Sequence, residues 1–155
     1  MEAYLIATAC TKFEKKADQT FKSLTEEVYC DLLKSAKVEN GNMIGQAWFG
    51  NCGMGTFGQN NIRGQVCFTP LVQKKLFPER VGIINVEGGC ATGSMAFHGA
   101  WKDVISGTED VSLAIGVEKI YQPNQPEKIQ EIYDGGIDQF DRNEWLEFYE
   151  SIGNE

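Results

Sequence analysis

The sequence predicts an α/β fold, a sheet covered by helices. Three observations carry that expectation. Apolar runs of strand length recur at residues 4–9, 43–49, 81–86 and 111–117. Stretches of helical character lie between them, so strand and helix alternate along the chain. The 155 residues carry 42% hydrophobic and 11% aromatic side chains, enough for a domain with its own core.

The elements follow in order. Residues 4–9, YLIATA, read as a first strand, and 12–18 as a polar loop ending on Asp18, a plausible helix N-cap. Phe21, Leu24, Val28, Leu32 and Ala36 recur at steps of three and four and mark one face of an amphipathic helix. Glu26, Glu27, Lys34 and Lys37 lie largely on its other faces, and Asn40-Gly41 stops it. The run 43–49 is apolar enough for a second strand. The glycine-rich stretch 50–58 follows, in which Gly53, Gly55 and Gly58 match GxGxxG and Glu79 lies downstream. A dinucleotide fingerprint needs that motif to open a helix. The residues after it, GQNNIRGQV, make a poor helix start without an apolar face, so the stretch reads as a loop lining a pocket or a subunit contact. Thr69-Pro70 fits N-cap and N1 of a short helix to about Leu76.

The central segment is 81–102, VGIINVEGGCATGSMAFHGAWK. A buried strand, 81–86, runs into Glu87-Gly88-Gly89-Cys90, and a helix follows to about Ser106. Met95, Trp101 or Val104, and Ile105 are its expected core-facing residues. Cys90 therefore sits where a strand turns into a helix. The first N–H groups of a helix have no internal partner, stabilise a thiolate and can hold a developing oxyanion. The glycines allow positive φ and close approach of a substrate. The alternative for Cys90 is a buried structural thiol, since free cysteine is among the most buried residue types.

After the next turn, 111–117 is a strongly apolar strand ending in Glu118-Lys119. From Ile120 the chain becomes loop-rich, with Pro123, Pro126, Gly135 and Gly136. Asp141 with Glu144 resembles a capping box, and Trp145, Phe148, Tyr149 and Ile152 line one face of a last short helix. That aromatic stripe needs a cover, from this chain or another.

Composition excludes several classes. A net charge of −8 argues against a nucleic-acid surface. No apolar run approaches the roughly 18 residues of a membrane span, and MEAYLIATAC lacks the features of a secretory signal. Five cysteines without a CxxC pair suit a reducing cytoplasm, and a single histidine leaves no zinc ligand pairs.

Two stretches resemble a known family. VEGGCATGSMA at 86–96, followed by GTEDVSLAIGVEK at 107–119, resembles the nucleophile region of the thiolase superfamily. There an apolar strand leads into C-A-S/T-G, a helix, G-x-x-D-V, and a strand ending in G-x-E-K/M. The N-terminal YLIATACTKF with its amphipathic helix is similar to thiolases of the sterol-carrier-protein type. The resemblance implies a thiolase-like N-terminal half over residues 1–120, with a mixed sheet packed by helices and a central buried helix after the nucleophile. Residues 121–155 would begin the loop domain that covers CoA and substrate.

The resemblance also implies roles. Cys90 matches the cysteine acylated by an acyl-CoA, and its backbone N–H belongs to an oxyanion hole. Gly93 matches the glycine that keeps the helix start accessible. Glu118 and Lys119 match the strand-end pair, structural or at a dimer contact. The strand 81–86 and the loop 50–58 are expected at a homodimer interface. Coenzyme A enters as substrate and no metal is expected in this chain. The form EGGCATG, with the stretch YQP…GGIDQFD, looks most like the branch serving anaerobic breakdown of aromatic compounds, toluene included, and of branched-chain acyl-CoAs. Enzymes of that branch often work with a small zinc-ribbon and OB-fold partner. The alternatives are a ketosynthase-like condensing enzyme and a non-catalytic scaffold subunit.

One departure is large. Thiolases draw a G-H-P histidine, an Asn or His, and a second cysteine from a second half of the same fold, and none is found in these residues. His98 lies about 12 Å along the helix from Cys90, at roughly 1.5 Å per residue, too far for a nucleophile–base pair. Thiolase turnover is therefore expected only together with a C-terminal half, supplied by more of the same chain or by another.

Overall fold

The computed structural model describes residues 2–153. Its sheet contains β1 (Gln46–Gly50), β2 (Gly82–Val86) and β3 (Ser112–Gly116), in the order β2-β1-β3. Both pairings are parallel, with Ala47 opposite Ile83 on one side and Leu113 on the other. Where a mixed sheet was expected, the described strands are all parallel. Each is joined to the next through a helix, and such crossovers return the chain in the same direction.

The helices α1 (Phe21–Ala36) and α2 (Arg63–Gln73) pack together on one face, and α3 (Thr92–Ser106) on the other. The chain moves from β1 to β2 through α2, then back past β1 to β3 through α3. A right-handed crossover that reverses direction sets its helix on the opposite face. Two further helices, α4 (Lys128–Asp134) and α5 (Arg142–Gly153), follow the sheet. The first of these was not foreseen, and it packs on the turn after β1.

The core lies between the sheet and α1/α2. Tyr29, Phe49, Phe68, Leu71 and Cys67 are fully buried there. Phe68 and Phe77 meet edge to face at 4.6 Å, and the Tyr29 hydroxyl donates to the Leu76 carbonyl at 3.1 Å. Burying each such apolar side chain contributes about 1.5–3 kcal/mol. On the other face the small residues Ala96, Gly99 and Ala100 let α3 lie directly on the sheet. A Cβ at Gly99 would stand 2.3 Å from the Trp48 ring. Asp103 fixes that docking, since its Oδ2 accepts from Trp48 Nε1 and from Ser112 Oγ, each at 2.7 Å.

Several expectations change. Residues 4–9 form no strand. They run beside β3 across a cavity of about 480 Å³, with Tyr4, Leu5 and Ile6 exposed. The cap of α1 is Thr20, not Asp18: Thr20 Oγ1 accepts the Ser23 N–H while Ser23 Oγ accepts the Thr20 N–H, a reciprocal pair. Thr69 and Pro70 lie inside α2, which begins at Arg63 within the stretch read as a poor helix start. Its entry is set by Ile62 in the left-handed region and by Gly64, where a Cβ would stand 2.7 Å from that of Phe49. The strand 81–86 is not buried. β2 pairs on one side only, and Ile84 is exposed.

Nor is the central helix buried. α3 covers the sheet with its small residues, while Met95, Phe97 and Trp101 face outward, Phe97 at 54% exposure. Met95, Trp101 or Val104, and Ile105 were expected in the core; Val104 and Ile105 are half-buried, while Met95 and Trp101 are exposed. Close helix–sheet approach selects glycine and alanine for the inner face and turns the larger side chains away. On α5, Asp141 Oδ1 accepts the Glu144 N–H, one half of the expected capping box, and Phe148, Tyr149 and Ile152 remain exposed.

Candidate active site

β1 and β2 are neighbours whose outgoing connections leave toward opposite faces of the sheet. The carboxyl ends of such a pair leave a crevice, the usual ligand position in a parallel α/β sheet. Two tight turns occupy it. Gly53–Phe57 follows β1 and Gly89–Ala91 follows β2, each a turn of 3-10 helix.

Cys90 lies in the second turn and is exposed. The backbone around it is almost fully committed. Gly88 N–H donates to Thr92 Oγ1 at 2.9 Å, and Gly89 N–H to Glu87 Oε1 at 2.7 Å. Ala91 N–H donates to the Gly88 carbonyl, and Thr92 N–H to that of Gly89. Thr92 Oγ1 also donates to the Gly89 carbonyl at 2.7 Å, closing a clamp. Among the described residues, the Cys90 N–H is the one donor from Gly88 to Thr92 without a protein acceptor.

The clamp needs room. Thr92 is buried against the end of β1, where a Cβ on Gly50 would come within 3.0 Å of Thr92 Cγ2. Gly89 has φ of 56°, a conformation that favours glycine. At Gly93 an added Cβ would meet nothing within 4 Å, so packing in this chain does not require a glycine there.

Cys90 and Gly93 line one cavity of about 570 Å³ together with Gly50, Asn51, Thr92 and Lys119. Residues 9–14 and 117–121 supply its other walls, which place the Cys10 side of the N-terminal segment opposite the β3 end. Lys119 is buried, and its Nζ donates to the carbonyls of Ala17 at 3.4 Å and Tyr121 at 3.2 Å. It thereby ties the two lips of the cavity together. Glu118 caps the turn after β1, accepting from Cys52 N–H at 2.9 Å and Gly53 N–H at 3.0 Å. Burial, then the nearby charges of Glu87 and Glu118, push the Cys52 thiol above its ordinary range.

His98 is not brought to Cys90. It is exposed on α3 and stacks on Trp101 with ring centroids 5.5 Å apart. Among the described residues no group of His, Cys, Asp and Glu side chains is arranged to hold a metal ion. Nor is any helix among the described residues long and apolar enough to cross a membrane.

Three residues of the site went unrecognised in the sequence: Glu87, Thr92 and Asn51. The buried Asn51 side chain donates to the Val117 carbonyl at 2.7 Å and accepts the Met54 N–H at 2.9 Å, joining the ends of β1 and β3. A hydroxyl residue at a helix start is a recognised signal and could have drawn attention to Thr92. The other two act through long-range or backbone bonds that carry no local pattern.

Similarity to known proteins gives the family. The family model described as the thiolase N-terminal domain matches residues 3–140. The chain belongs to the thiolase family. It is 32% identical over 117 residues to the benzoylsuccinyl-CoA thiolase subunit BbsB of Thauera aromatica, covering 76% of this chain and 28% of that protein. It is also 32% identical over 117 residues to an acetyl-CoA acetyltransferase of Methanocaldococcus jannaschii, covering 75% and 28% respectively. The chain therefore spans under a third of the length of these thiolase relatives.

Proposed function

We propose that this chain carries the acyl-accepting side of a thiolase site, with Cys90 as nucleophile. The Cys90 thiolate attacks the keto carbon of a β-ketoacyl-CoA, and the carbonyl pair moves onto oxygen. The Cys90 N–H donates to that oxyanion. As the carbonyl re-forms, the bond between the α and β carbons breaks and its electron pair leaves as the enolate of a shortened acyl-CoA, which takes up a proton. The acyl group remains as a thioester on Cys90. The thiolate of a second CoA attacks it, and the Cys90 thiolate is released. In reverse the same groups perform a condensation.

The observation that carries this reading is the pairing of an exposed thiol with the one uncommitted N–H of its turn, both on a cavity at the strand ends. A donor aimed at the developing oxyanion contributes about 2.7–4 kcal/mol to such a step. The proton transfers need an acid and a base. His98 is too remote for either, so these come from groups outside the 155 residues, together with the second thiolase cysteine. The segment 121–155 begins a loop domain that covers substrate, following a domain of residues 1–120. The free edge of β2 and the loop 50–58 form a homodimer contact, a role that the one-sided pairing of β2 supports.

The similarity to a benzoylsuccinyl-CoA thiolase subunit supports an aromatic acyl-CoA as substrate class and work within a complex. Anaerobic toluene degradation and a zinc-ribbon and OB-fold partner rest on the resemblance of EGGCATG and YQP…GGIDQFD, and a cytoplasmic location on the unpaired cysteines. A scaffold role is the weaker reading, since a scaffold has no use for an exposed thiol beside a free N–H. A ketosynthase-like enzyme would take its acyl group from a carrier protein instead of from CoA.

The test is acylation. The full protein, in its native assembly, is incubated with a β-ketoacyl-CoA, quenched in acid and mapped by peptide mass spectrometry. The acyl mass is expected on the peptide holding Cys90 and on none holding Cys10, Cys30, Cys52 or Cys67. Acylation at Cys10 in place of Cys90, or at no cysteine, rejects the assignment.

A further inference from the structure

The turn that presents Cys90 is built on two consecutive glycines, and glycine backbones hold no conformation by themselves. Two side chains hold it instead. Thr92 grips the Gly88 N–H and the Gly89 carbonyl from the α3 side. Glu87 reaches forward from the end of β2 and accepts the Gly89 N–H at 2.7 Å. Thr92 leaves that N–H untouched, so the peptide joining Gly88 and Gly89 has one tether on its donor side. Gly89 is also the residue of the turn with positive φ, 56°, and so the one whose rotation would swing Cys90. With Glu87 in place, four donors of the turn are occupied and the Cys90 N–H alone is left over, on a residue that lines the cavity. Without it, a second donor is released and the link before Cys90 is free to turn.

We propose that Glu87 is a positioning residue for acyl transfer: by accepting the Gly89 N–H, its carboxylate fixes the turn so that Cys90 presents its thiol and its own N–H to the same carbonyl group. The proposal rests on the acyl-transfer reading above and adds a residue to it. Glu87 touches neither the substrate nor the sulfur in this scheme. It acts through Gly89, and what it supplies is an acceptor oxygen at a given reach rather than a charge.

Three substitutions in the full protein separate these roles. Glu87→Gln keeps an oxygen at the same reach, Glu87→Ala removes it, and Glu87→Met keeps the length of the side chain without an acceptor oxygen. Misplacing a reacting group by about an ångström costs up to about 100-fold in rate. Glu87→Ala and Glu87→Met are therefore expected to lower kcat by about 10- to 100-fold with KM within about threefold, and Glu87→Gln to stay within about threefold in both. Iodoacetamide labelling of Cys90 should change little in all three, because displacement at an alkyl carbon uses no oxyanion donor. Wild-type kcat in Glu87→Ala and Glu87→Met, or a Glu87→Gln as impaired as Glu87→Ala, overturns the proposal.

Amide hydrogen exchange at Gly89 gives a second arm that needs no turnover. Exchange should speed by about tenfold or more in Glu87→Ala, as expected when a hydrogen-bonded amide loses its acceptor, and stay slow in Glu87→Gln. Equal exchange in wild type and both variants overturns the role of Glu87 even if Cys90 is acylated. Absence of acyl transfer in the wild-type protein, with protected Gly89, overturns the functional reading instead. If Glu87→Ala does not fold, Glu87→Met and Glu87→Gln decide by the same two readouts.

Discussion

Two cysteines occupy equivalent places in this molecule. Cys52 and Cys90 each sit at a turn of 3-10 helix after a parallel strand, on neighbouring strands, and only one combines an exposed thiol with an uncommitted N–H. At Cys52 every N–H from Asn51 to Met54 has an acceptor: Val86 O, the Glu118 carboxylate twice, and Asn51 Oδ1. At Cys90 the neighbours are satisfied and its own N–H is not. Cys52 is partly buried with two carboxylates near its thiol, whereas Cys90 is exposed on the cavity. A strand-to-helix turn thus does not make a nucleophile by itself. The difference lies in which donors the surroundings leave over.

Exchanging the two thiols for hydroxyls should break this symmetry most sharply. Cys90→Ser is expected to lower acyl transfer by about 1,000-fold or more, because a serine at its ordinary pKa is a weak nucleophile without an adjacent base. Cys52→Ser should stay within about threefold, as befits a thiol that takes no part in the mechanism. Equal losses in the two variants, measured by thioester formation, would remove the distinction.

A smaller effect is expected from Glu118→Ala, which strips the acceptor from two N–H groups and from the Asn51 amide. Hydrogen bonds to a charged group contribute about 1.5–3 kcal/mol, so stability in urea should fall by about that amount. The same change removes one charge that holds the Cys52 thiol up, and its alkylation midpoint should move to lower pH. Linkage gives the matching sign for the wild type. Cys52 binds its proton more tightly folded than unfolded, so its contribution is complete below the unfolded thiol pKa and is lost as pH rises through the elevated folded value. Unchanged urea midpoints in Glu118→Ala would mean that the turn after β1 is held by Asn51 alone.

Gly93→Ala should have the smallest structural effect and the cleanest reading. Nothing stands within 4 Å of the added Cβ, and Gly to Ala inside a helix gains about 0.5–1 kcal/mol. If Gly93 keeps the helix start open to substrate, KM should rise while the thermal midpoint does not fall. Unaltered kinetics would leave Gly93 without a role at the cavity.

Much of this was legible in the residues. The alternation of apolar runs and helical faces gave the α/β class, and the short spacing in EGGCATG put a cysteine at a strand-to-helix turn. The apolar residues of α1 do face the core, with Leu24 buried and Phe21, Val28 and Leu32 packed against it. Other features were misread for one common reason. An apolar segment shows a wish for burial and not its fulfilment. Residues 4–9 look like a strand and pair with nothing among the described residues, while the long apolar side chains of α3 were assigned to a core that glycine and alanine occupy.

The sequence by itself determined the order of elements, the place of Cys90 in that order and the family to which the chain belongs. These depend on local periodicity and on short motifs, which neighbouring residues fix. Only the tertiary structure decided that the Cys90 N–H stays free while that of Cys52 does not. Those outcomes depend on a carboxylate after β3, a hydroxyl in the first turn of α3 and a glycine at the end of β1. The bonds of Glu118 to the turn after β1 join strand ends and are set by the packing of the sheet, and no pattern along the chain records them.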